Sequence, residues 1–290
     1  MTIRSNSRGF FEAKFVVITG GSSGIGLATA ELVFKLGAHV CIVARNPHAL
    51  ARAGAVIEGA RVRADQKIET IACDCTNIWA LKPLLEDLVA RWGPPDCLIN
   101  CVGYARPGYV QELDIDDFRA HMEVNYYGQL APLLLLLPHL LRAGRGHVAN
   151  ISSLLGFMGS MGYSAYCPSK FAIAGLTDAL RNELKPYGLS FSIVYPPDVE
   201  TPGYSQENRN KPPECKELSK RARVMTAEAV AKAIVDGIAR KRFEIVPGEA
   251  AFVWRMYRHF PWLVRRAIDR DYLKARRTLA SQAYSPRAEH

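Results

Sequence analysis

Seven short apolar segments recur between Lys14 and about Val246, and the stretches between them carry apolar residues at helical spacing. The segments are residues 15–18, 39–43, 67–72, 96–99, 147–151, 189–194 and 243–246. Strands that are buried on both faces have continuous apolar runs, and their alternation with helices is typical of parallel sheets. The pattern therefore predicts an α/β fold with a doubly wound, seven-stranded parallel sheet.

Two segments depart from this alternation. Residues 130–141 are the most apolar stretch, but they are fewer than the roughly twenty residues of a bilayer span, and Pro132 and Pro138 interrupt them. We expect a buried helix beside the sheet, which can also pack against a second subunit. Residues 202–223 are polar and rich in proline, which predicts a mobile loop or lid over the substrate.

The 290 residues, 49% of them hydrophobic, suffice for one large domain, which we place at residues 1–250, with an extension at 251–290. The net charge of +9 is concentrated at the end of the chain, since residues 240–290 hold twelve Lys/Arg against five Asp/Glu. This asymmetry indicates that the basic tail contacts an anionic surface, and no nucleic-acid partner is expected.

Aromatic and basic residues alternate through residues 251–266, which predicts a basic, partly amphipathic helical extension. The arginines exclude a membrane-spanning helix. Two interpretations remain open. One is an interfacial helix with Trp254, Phe260 and Trp262 in lipid, and the other is a helix packed on the domain or on a second subunit.

Cysteine usage and the N-terminus bear on location. Residues 1–14 lack the apolar centre of a secretory signal. The seven cysteines have no tetrahedral metal-ligand spacing, and we expect them to be small buried residues in a reducing compartment. The predicted location is the cytoplasm, with peripheral membrane contact through residues 251–290, and no metal is expected.

A glycine turn, TGGSSGIG at residues 19–26, follows the first predicted strand and opens a helix predicted at 24–36. Glycines allow close backbone approach, and a helix N-terminus offers free N–H groups to a pyrophosphate. This context predicts a Rossmann-type dinucleotide site. The candidate binding residues in the turn are Gly20, Ser22, Ser23, Gly24, Ile25 and Gly26.

Arg45 follows the second strand, where an NAD site usually carries an acid that binds the ribose 2′-OH. A guanidinium instead suits a 2′-phosphate. The sequence therefore predicts NADPH, and the alternative is that Arg45 is only a solvated loop charge.

Further candidates stand at the carboxyl ends of later strands, which meet at one edge of a parallel sheet. Asp74, beside Cys75, is expected to accept from the adenine amino group, and Asn100 to line the adenosine ribose. After the sixth strand we expect Pro196, the backbone near Val199 and the Thr201 hydroxyl to hold the nicotinamide carboxamide.

Four polar residues are spaced for proton transfer to a carbonyl oxygen. Tyr166 and Lys170 are four residues apart on a predicted helix, and the positive charge of Lys170 is expected to lower the phenol pKa. Both residues also contact the cofactor in this hypothesis. Ser153 is expected to orient the carbonyl, with Ser152 turned away, and Asn125 to hold a water that relays protons to Lys170.

In this order, these motifs resemble the short-chain dehydrogenase/reductase superfamily over residues 14–246. The resemblance implies catalytic roles for Asn125, Ser153, Tyr166 and Lys170. Residues 195–204 (YPPDVETPGY) and 207–212 (ENRNKP) further resemble the 3-ketodihydrosphingosine reductase family. That family reduces 3-ketosphinganine to sphinganine with NADPH in sphingolipid biosynthesis, and membership implies a lipid ketone substrate and a homo-oligomer.

The sequence departs from that family at Ala49, where a lysine is frequent near the 2′-phosphate, and at Cys101-Val102, which replace Asn-Ala. Two other functions stay open. One is a reductase of the same superfamily acting on a steroid, retinoid or acyl-glycerone lipid. The other is a non-catalytic NADPH-binding module, against which the intact set of four polar residues argues.

Overall fold

The fold is taken from a computed structural model, which describes residues 5–220 and 223–283. Its strands are β1 Phe15–Thr19, β2 His39–Ala44, β3 Ile68–Ala72, β4 Cys97–Asn100, β5 Gly146–Ile151, β6 Leu189–Val194, β7 Val199–Glu200, β8 Met225–Thr226 and β9 Glu244–Ile245. Seven of them form one parallel sheet in the order β3-β2-β1-β4-β5-β6-β9. All seven predicted strands are confirmed, while the two-residue ladder of β7 and β8 was not predicted.

The helices are α1 Ser5–Phe11, α2 Gly24–Lys35, α3 Pro47–Glu58, α4 Ile78–Trp92, α5 Ile115–Met122, α6 Gly128–Ala143, α7 Tyr166–Leu184, α8 Pro202–Asn210, α9 Pro213–Ser219, α10 Ala227–Ala239, α11 Ala250–His259 and α12 Pro261–Ala283. Short 3-10 turns lie at Val110–Glu112, Leu154–Gly156 and Lys185–Tyr187. A π-helical turn, Glu123–Tyr127, joins α5 to α6.

Alternate residues of each central strand pack on opposite faces of the sheet. On β1, Val16 and Ile18 belong to the core under α2, α3 and α10, whereas Phe15 and Val17 belong to the core under α4 and α6. Helices therefore cover both faces, which explains the continuous apolar runs and confirms the doubly wound architecture.

Residues 130–141 lie within α6, as predicted. Leu133, Leu136 and Leu140 are fully buried against the sheet, while Leu134 on the outer face is 47% exposed. Within the described residues, the model contains no helix with the length and apolar character needed to cross a bilayer.

The prediction of a mobile loop at residues 202–223 is wrong for most of that segment, because it forms α8 and α9. Pro202 and Pro213 occupy the first positions of these helices, where the missing N–H of proline costs nothing. The Thr201 hydroxyl oxygen caps α8 by accepting from the Tyr204 N–H at 3.1 Å. The last part of the prediction, residues 221 and 222, lies outside the described residues.

The extension forms α11 and α12, and both contact the rest of the protein. The Tyr257 ring lies 5.8 Å from that of Phe157, and Arg258 pairs with Glu244 at 2.8 Å. Helix α12 packs against α9, and Ala275 is buried. The predicted helical extension is therefore confirmed, with one face packed on the body, while a domain boundary at residue 250 stays a prediction.

The cysteines behave as small apolar residues. All are free thiols, and only Cys101 is more than marginally accessible. Burial raises the pKa of the Cys75 thiol to about 12, so that side chain stays neutral beside the predicted cofactor edge.

Candidate active site

The glycine turn has the geometry that a dinucleotide phosphate requires. Gly20 and Gly24 have left-handed backbone angles, with φ of +69° and +52°. A Cβ at Gly26 would lie 2.3 Å from the Gly20 carbonyl oxygen, so only glycine fits there. Ser23 makes no side-chain hydrogen bond to the first turn of α2, which leaves those N–H groups open to an anion. Ser22 and Ser23 are both accessible at this turn.

Arg45 and Asp74 come together at the ends of β2 and β3. Arg45 Nη1 lies 3.6 Å from Asp74 Oδ2, and the Arg45 side chain is 72% exposed. Asp74 Oδ1 accepts hydrogen bonds from the N–H and hydroxyl of Thr76 at 3.0 Å each. The two predicted adenosine-end residues are therefore neighbours, and Cys75 beside them is buried.

Asn100 differs from its expected position. Its side chain is fully buried, donates to Asn150 Oδ1 at 2.9 Å and accepts from the Thr19 hydroxyl at 3.1 Å. Its side chain joins the ends of three central strands and is not exposed at the cavity, and its contact with an adenosine ribose stays a prediction. Cys101 and Gly103, which follow it, line the cavity instead.

The segment after β6 lies across the glycine turn. Pro196, Val199 and Thr201 line the cavity, and a Cβ at Gly24 would lie 2.9 Å from Thr201 Cγ2. This contact places the residues predicted for the nicotinamide carboxamide beside those predicted for the pyrophosphate. The Thr201 hydroxyl already accepts the capping hydrogen bond of α8, so it has a proton left to donate.

One cavity of about 940 Å³ connects the cofactor and catalytic candidates. Its wall includes Ser153, Tyr166 and Lys170 together with Ile25 and Thr201. Residues that are far apart in the sequence thus meet at the carboxyl edge of the sheet, where ligands bind in open α/β folds.

Ser153 and Ser152 point in different directions, as alternation along the strand end predicts. Ser153 hydrogen-bonds to Tyr166, and its Oγ accepts from the Leu155 N–H at 3.1 Å. The Ser152 hydroxyl donates to the Lys170 carbonyl at 2.8 Å and is buried. Of the two, Ser153 is the one placed to contact a carbonyl beside the Tyr166 phenol.

The pKa of Tyr166 differs from the expected lowering by Lys170. Burial raises it above its usual value, and the hydrogen bond with Ser153 only partly opposes this. Lys170 Nζ lies 5.8 Å from the Tyr166 ring centroid and donates to the Ile151 carbonyl at 3.0 Å. Burial also lowers the pKa of Lys170 to about 8, which weakens its effect on the phenol. In this state the phenol is protonated and can act as an acid.

Asn125 lies in the π-helical turn and is fully buried. Its Oδ1 accepts from the Tyr104 N–H at 2.9 Å, and its Nδ2 donates to the Tyr104 carbonyl and to the Ser169 hydroxyl. A Cβ at Gly103 would lie 3.0 Å from both Asn125 Oδ1 and Lys170 Nζ. Asn125 thus lies next to Lys170, as its predicted role in proton transfer requires. The relay water stays a prediction.

No sequence pattern predicted the aromatic stack that lies behind the phenol. The His121 ring stacks on Tyr104 at 4.7 Å and lies 6.1 Å from the Tyr166 ring. His121 Nδ1 contacts the Asp117 carbonyl at 2.7 Å, and Nε2 accepts from the Arg106 N–H. Burial lowers the pKa of His121 to about 4, so the ring is neutral at pH 7 and packs between the Tyr104 and Tyr166 rings.

A second polar group, which the sequence did not predict, lies at the cavity beside Tyr166. Glu207 accepts a hydrogen bond from the Tyr163 hydroxyl at 2.6 Å, and Lys211 Nζ lies 3.3 Å from the same carboxylate oxygen. Glu207 and Lys211 are four residues apart in the ENRNKP run, so their spacing was the only available signal.

Comparison with known proteins agrees with this geometry. Residues 14–212 match the family model described as short chain dehydrogenase, and the chain belongs to this family of oxidoreductases. Within the family, its relatives include a 3-ketodihydrosphingosine reductase of Dictyostelium discoideum, 38% identical over 81% of this chain and 74% of that protein. A 3-dehydrosphinganine reductase of Danio rerio is 37% identical over 79% and 69%, and the Bos taurus 3-ketodihydrosphingosine reductase is 35% identical over 82% and 72%.

Solved structures show the same fold. A short chain dehydrogenase/reductase from Burkholderia phymatum in complex with NAD superposes with a TM-score of 0.75 at 24% identity, over 88% of this chain and 96% of that one. Levodione reductase gives a TM-score of 0.76 at 22% identity, over 83% and 98%.

Proposed function

We propose that this protein reduces the 3-keto group of 3-ketosphinganine to sphinganine with NADPH. The observation that carries the proposal is that Ser153, Tyr166 and Lys170 share one cavity with Ile25 of the glycine turn and with Thr201, which contacts that turn at Gly24. The similarity to three reductases named for this substrate, each covered over about 70% of its length, supports the choice of ketone.

The residues of the turn fit a nicotinamide dinucleotide, because glycine alone satisfies the close approaches there and the first turn of α2 lacks a side-chain cap. Bound reduced nicotinamide supplies a hydride to the carbonyl carbon. Gly20, Gly24 and Gly26 allow the backbone to reach the pyrophosphate, and Thr201 and the backbone near Val199 bind the carboxamide. Arg45 binds the 2′-phosphate, which favours NADPH over NADH.

Tyr166 acts as the general acid in this mechanism. Burial raises its pKa, so the phenol carries a proton at neutral pH and donates it to the carbonyl oxygen as the carbonyl is reduced. Ser153 donates a hydrogen bond to the same oxygen and orients it. Lys170 stabilises the phenolate that forms, and Asn125 holds the water through which the proton is restored.

The cavity wall suits a substrate with a long alkyl chain. Leu154, Leu155, Met158, Leu218 and Val253 contribute apolar surface to the same cavity as the catalytic hydroxyls. Flexible side chains such as methionine adapt to chains of varied shape. An alkyl tail lies along this wall while the ketone faces Tyr166.

The outer face of the extension supports peripheral contact with a membrane. Phe252, Phe260 and Trp262 are 64%, 48% and 61% exposed, and arginines are interleaved with them. Apolar and cationic residues in this arrangement bind the interface of an anionic bilayer. The substrate is an amphiphile, so this contact places the cavity near its source.

A homo-oligomer also belongs to this proposal. Leu134 on α6 and Phe171 on α7 are 47% and 43% exposed, which offers apolar surface to a second copy. Light scattering after size exclusion measures the mass directly, and a monomer at micromolar concentration would refute this part.

The experiment that tests the function follows NADPH oxidation with detergent-dispersed 3-ketosphinganine and identifies the product by mass spectrometry. Wild type should form sphinganine, and Tyr166→Phe should lose about 10²- to 10⁴-fold in kcat while still binding NADPH. Tyr187→Phe changes an exposed tyrosine and is the matched control. Bound NADPH without turnover of this ketone would refute the assignment.

A further inference from the structure

Glu207 brings a carboxylate to the wall of the substrate cavity. It lies on α8, lines the cavity, and its side chain is 17% exposed. Oε1 accepts from the Tyr163 hydroxyl at 2.6 Å and lies 3.3 Å from Lys211 Nζ. Within the described residues Oε2 accepts no hydrogen bond, so this oxygen is available to a ligand.

The charges around Glu207 do not balance. Lys211 Nζ is 3.3 Å from Glu207 and 3.9 Å from Asp198. The Lys211 side chain is 1% exposed and lies behind the cavity wall, whereas both carboxylates line the cavity. Two carboxylates therefore share one ammonium. Burial and the neighbouring Asp198 raise the pKa of Glu207 despite its contacts with Tyr163 and Lys211, so its negative charge is incompletely compensated at the cavity.

The remaining charged residues of the cavity wall do not cancel this charge. Arg223 and Glu249 pair with each other at 2.9 Å. Lys170 Nζ donates to the Ile151 carbonyl at 3.0 Å, and within the described residues it forms no ion pair with Glu207 or Asp198. The surplus near Glu207 is therefore available to a cation in the substrate.

Glu207 lies close to the reacting group. The Tyr163 ring, whose hydroxyl binds Glu207, is 5.9 Å from the Tyr166 ring. Glu207 and Asp198 both raise the pKa of the Tyr166 phenol, so both carboxylates are within electrostatic range of it. A ketone bound at Tyr166 has its neighbouring atoms near this acidic wall.

The chemistry of the proposed substrate matches this arrangement. 3-Ketosphinganine carries an amino group on the carbon next to the keto carbon, and that group is an ammonium at neutral pH. An ammonium brought into a half-buried cavity needs a carboxylate partner, because desolvation otherwise opposes binding.

We propose that Glu207 is a specificity-determining residue that binds the substrate ammonium through Oε2, with Asp198 supplying the second negative charge. This inference rests on the proposed function. The Glu207 carboxylate selects 2-amino ketones over neutral ketones of the same chain length. Lys211 and Tyr163 hold the Glu207 carboxylate in place.

The test compares two ketones, 3-ketosphinganine and 1-hydroxyoctadecan-3-one, which lacks only the amine. Wild type should favour the amine-bearing ketone in kcat/KM. Glu207→Gln keeps the shape and the Tyr163 contact, and should lower kcat/KM for 3-ketosphinganine about 10- to 100-fold, mainly through KM. Its kcat/KM for the neutral ketone should stay within about threefold of wild type.

Glu249→Gln removes a cavity carboxylate that is already paired, and is the matched control. An unchanged ratio of the two ketones in Glu207→Gln would overturn the inference. Failure of wild type to reduce 3-ketosphinganine would instead overturn the proposed function. An equal loss on both ketones would assign Glu207 a structural role and also overturn the inference.

A measurement on wild type alone covers the case in which the variant does not fold. Sphinganine should inhibit reduction at least about tenfold more tightly than octadecane-1,3-diol, which lacks the ammonium. Equal inhibition by the two diols would overturn the inference.

Discussion

The Arg45 guanidinium lies 3.6 Å from the Asp74 carboxylate, across the ends of two neighbouring strands. At this distance and with an Arg45 side chain that is 72% exposed, the ion pair is loose and contributes little to stability. The guanidinium can therefore turn to a phosphate at little cost. Asp74 keeps it at the edge of the cofactor site.

Replacing Arg45 by Ala should weaken NADPH selectively. We expect KM for NADPH to rise about 10- to 100-fold, while KM for NADH changes less than about threefold, because only NADPH carries the 2′-phosphate. Steady-state kinetics with both cofactors measures the ratio. Lys82→Ala on α4 is a control for the loss of one positive charge. Equal effects on the two cofactors would show that Arg45 does not bind the phosphate.

Gly26→Ala should both destabilise the protein and abolish cofactor binding. The added methyl would lie 2.3 Å from the Gly20 carbonyl oxygen, and separating the two must distort the turn. We expect a loss of about 1–3 kcal/mol in the free energy of unfolding. Thermal melts with and without NADPH test this, since the ligand should no longer raise Tm. Gly9→Ala, in α1 with nothing within 4 Å of the new methyl, should not lower the free energy of unfolding and should keep the rise in Tm with NADPH.

NADPH binding should take up a proton near pH 8 to 9. Burial lowers the pKa of Lys170 from 10.5 to about 8 in the free protein, and an anionic cofactor beside it raises that pKa again. Between the two values binding adds a proton to Lys170, so affinity falls as pH rises through this interval.

Calorimetric titrations in two buffers with different ionisation enthalpies measure that uptake. Lys170→Met should remove it, while Lys185→Met, at an exposed position, should keep it. Proton uptake that is the same in all three proteins would assign it to another group.

The exposed aromatics of the extension should carry membrane binding. Wild type should sediment with anionic phospholipid vesicles. The double variant Phe252→Ser, Trp262→Ser should bind them at least about tenfold more weakly, because both side chains are exposed and apolar. Trp79→Ser removes a tryptophan that is 82% exposed on α4 and should bind like wild type. Point variants are needed because deletion of residues 251–290 would also remove Val253 from the cavity wall.

Local patterns predicted much of this molecule. Continuous apolar runs identified the seven strands, since burial on both faces leaves a strand no polar alternation. The glycine turn and the spacing of Tyr166 and Lys170 predicted the cavity because strand ends of a parallel sheet share one edge. Helices α8 and α9 could not be predicted from the pattern, because a proline is typical of a loop and also of the first position of a helix.

Features that depend on contacts between distant segments could not be predicted. Asn100 was expected at the ribose, yet its partners Thr19 and Asn150 lie on other strands. The pKa of Tyr166 depends on burial and on Glu207, which is 41 residues away along the chain. Spacing along the chain gives no measure of desolvation, so the sequence indicated the acid but not the direction of its pKa shift.

The cavity wall contributed by α11 has a consequence for synthesis. A nascent chain that has cleared the ribosome as far as Ile245 contains every strand of the sheet, the glycine turn and the tyrosine–lysine helix. It still lacks Ala250 and Val253, which line the substrate cavity. Cofactor capture can therefore precede the emergence of α11 from the ribosome, whereas the substrate cavity is complete only after Val253 has emerged.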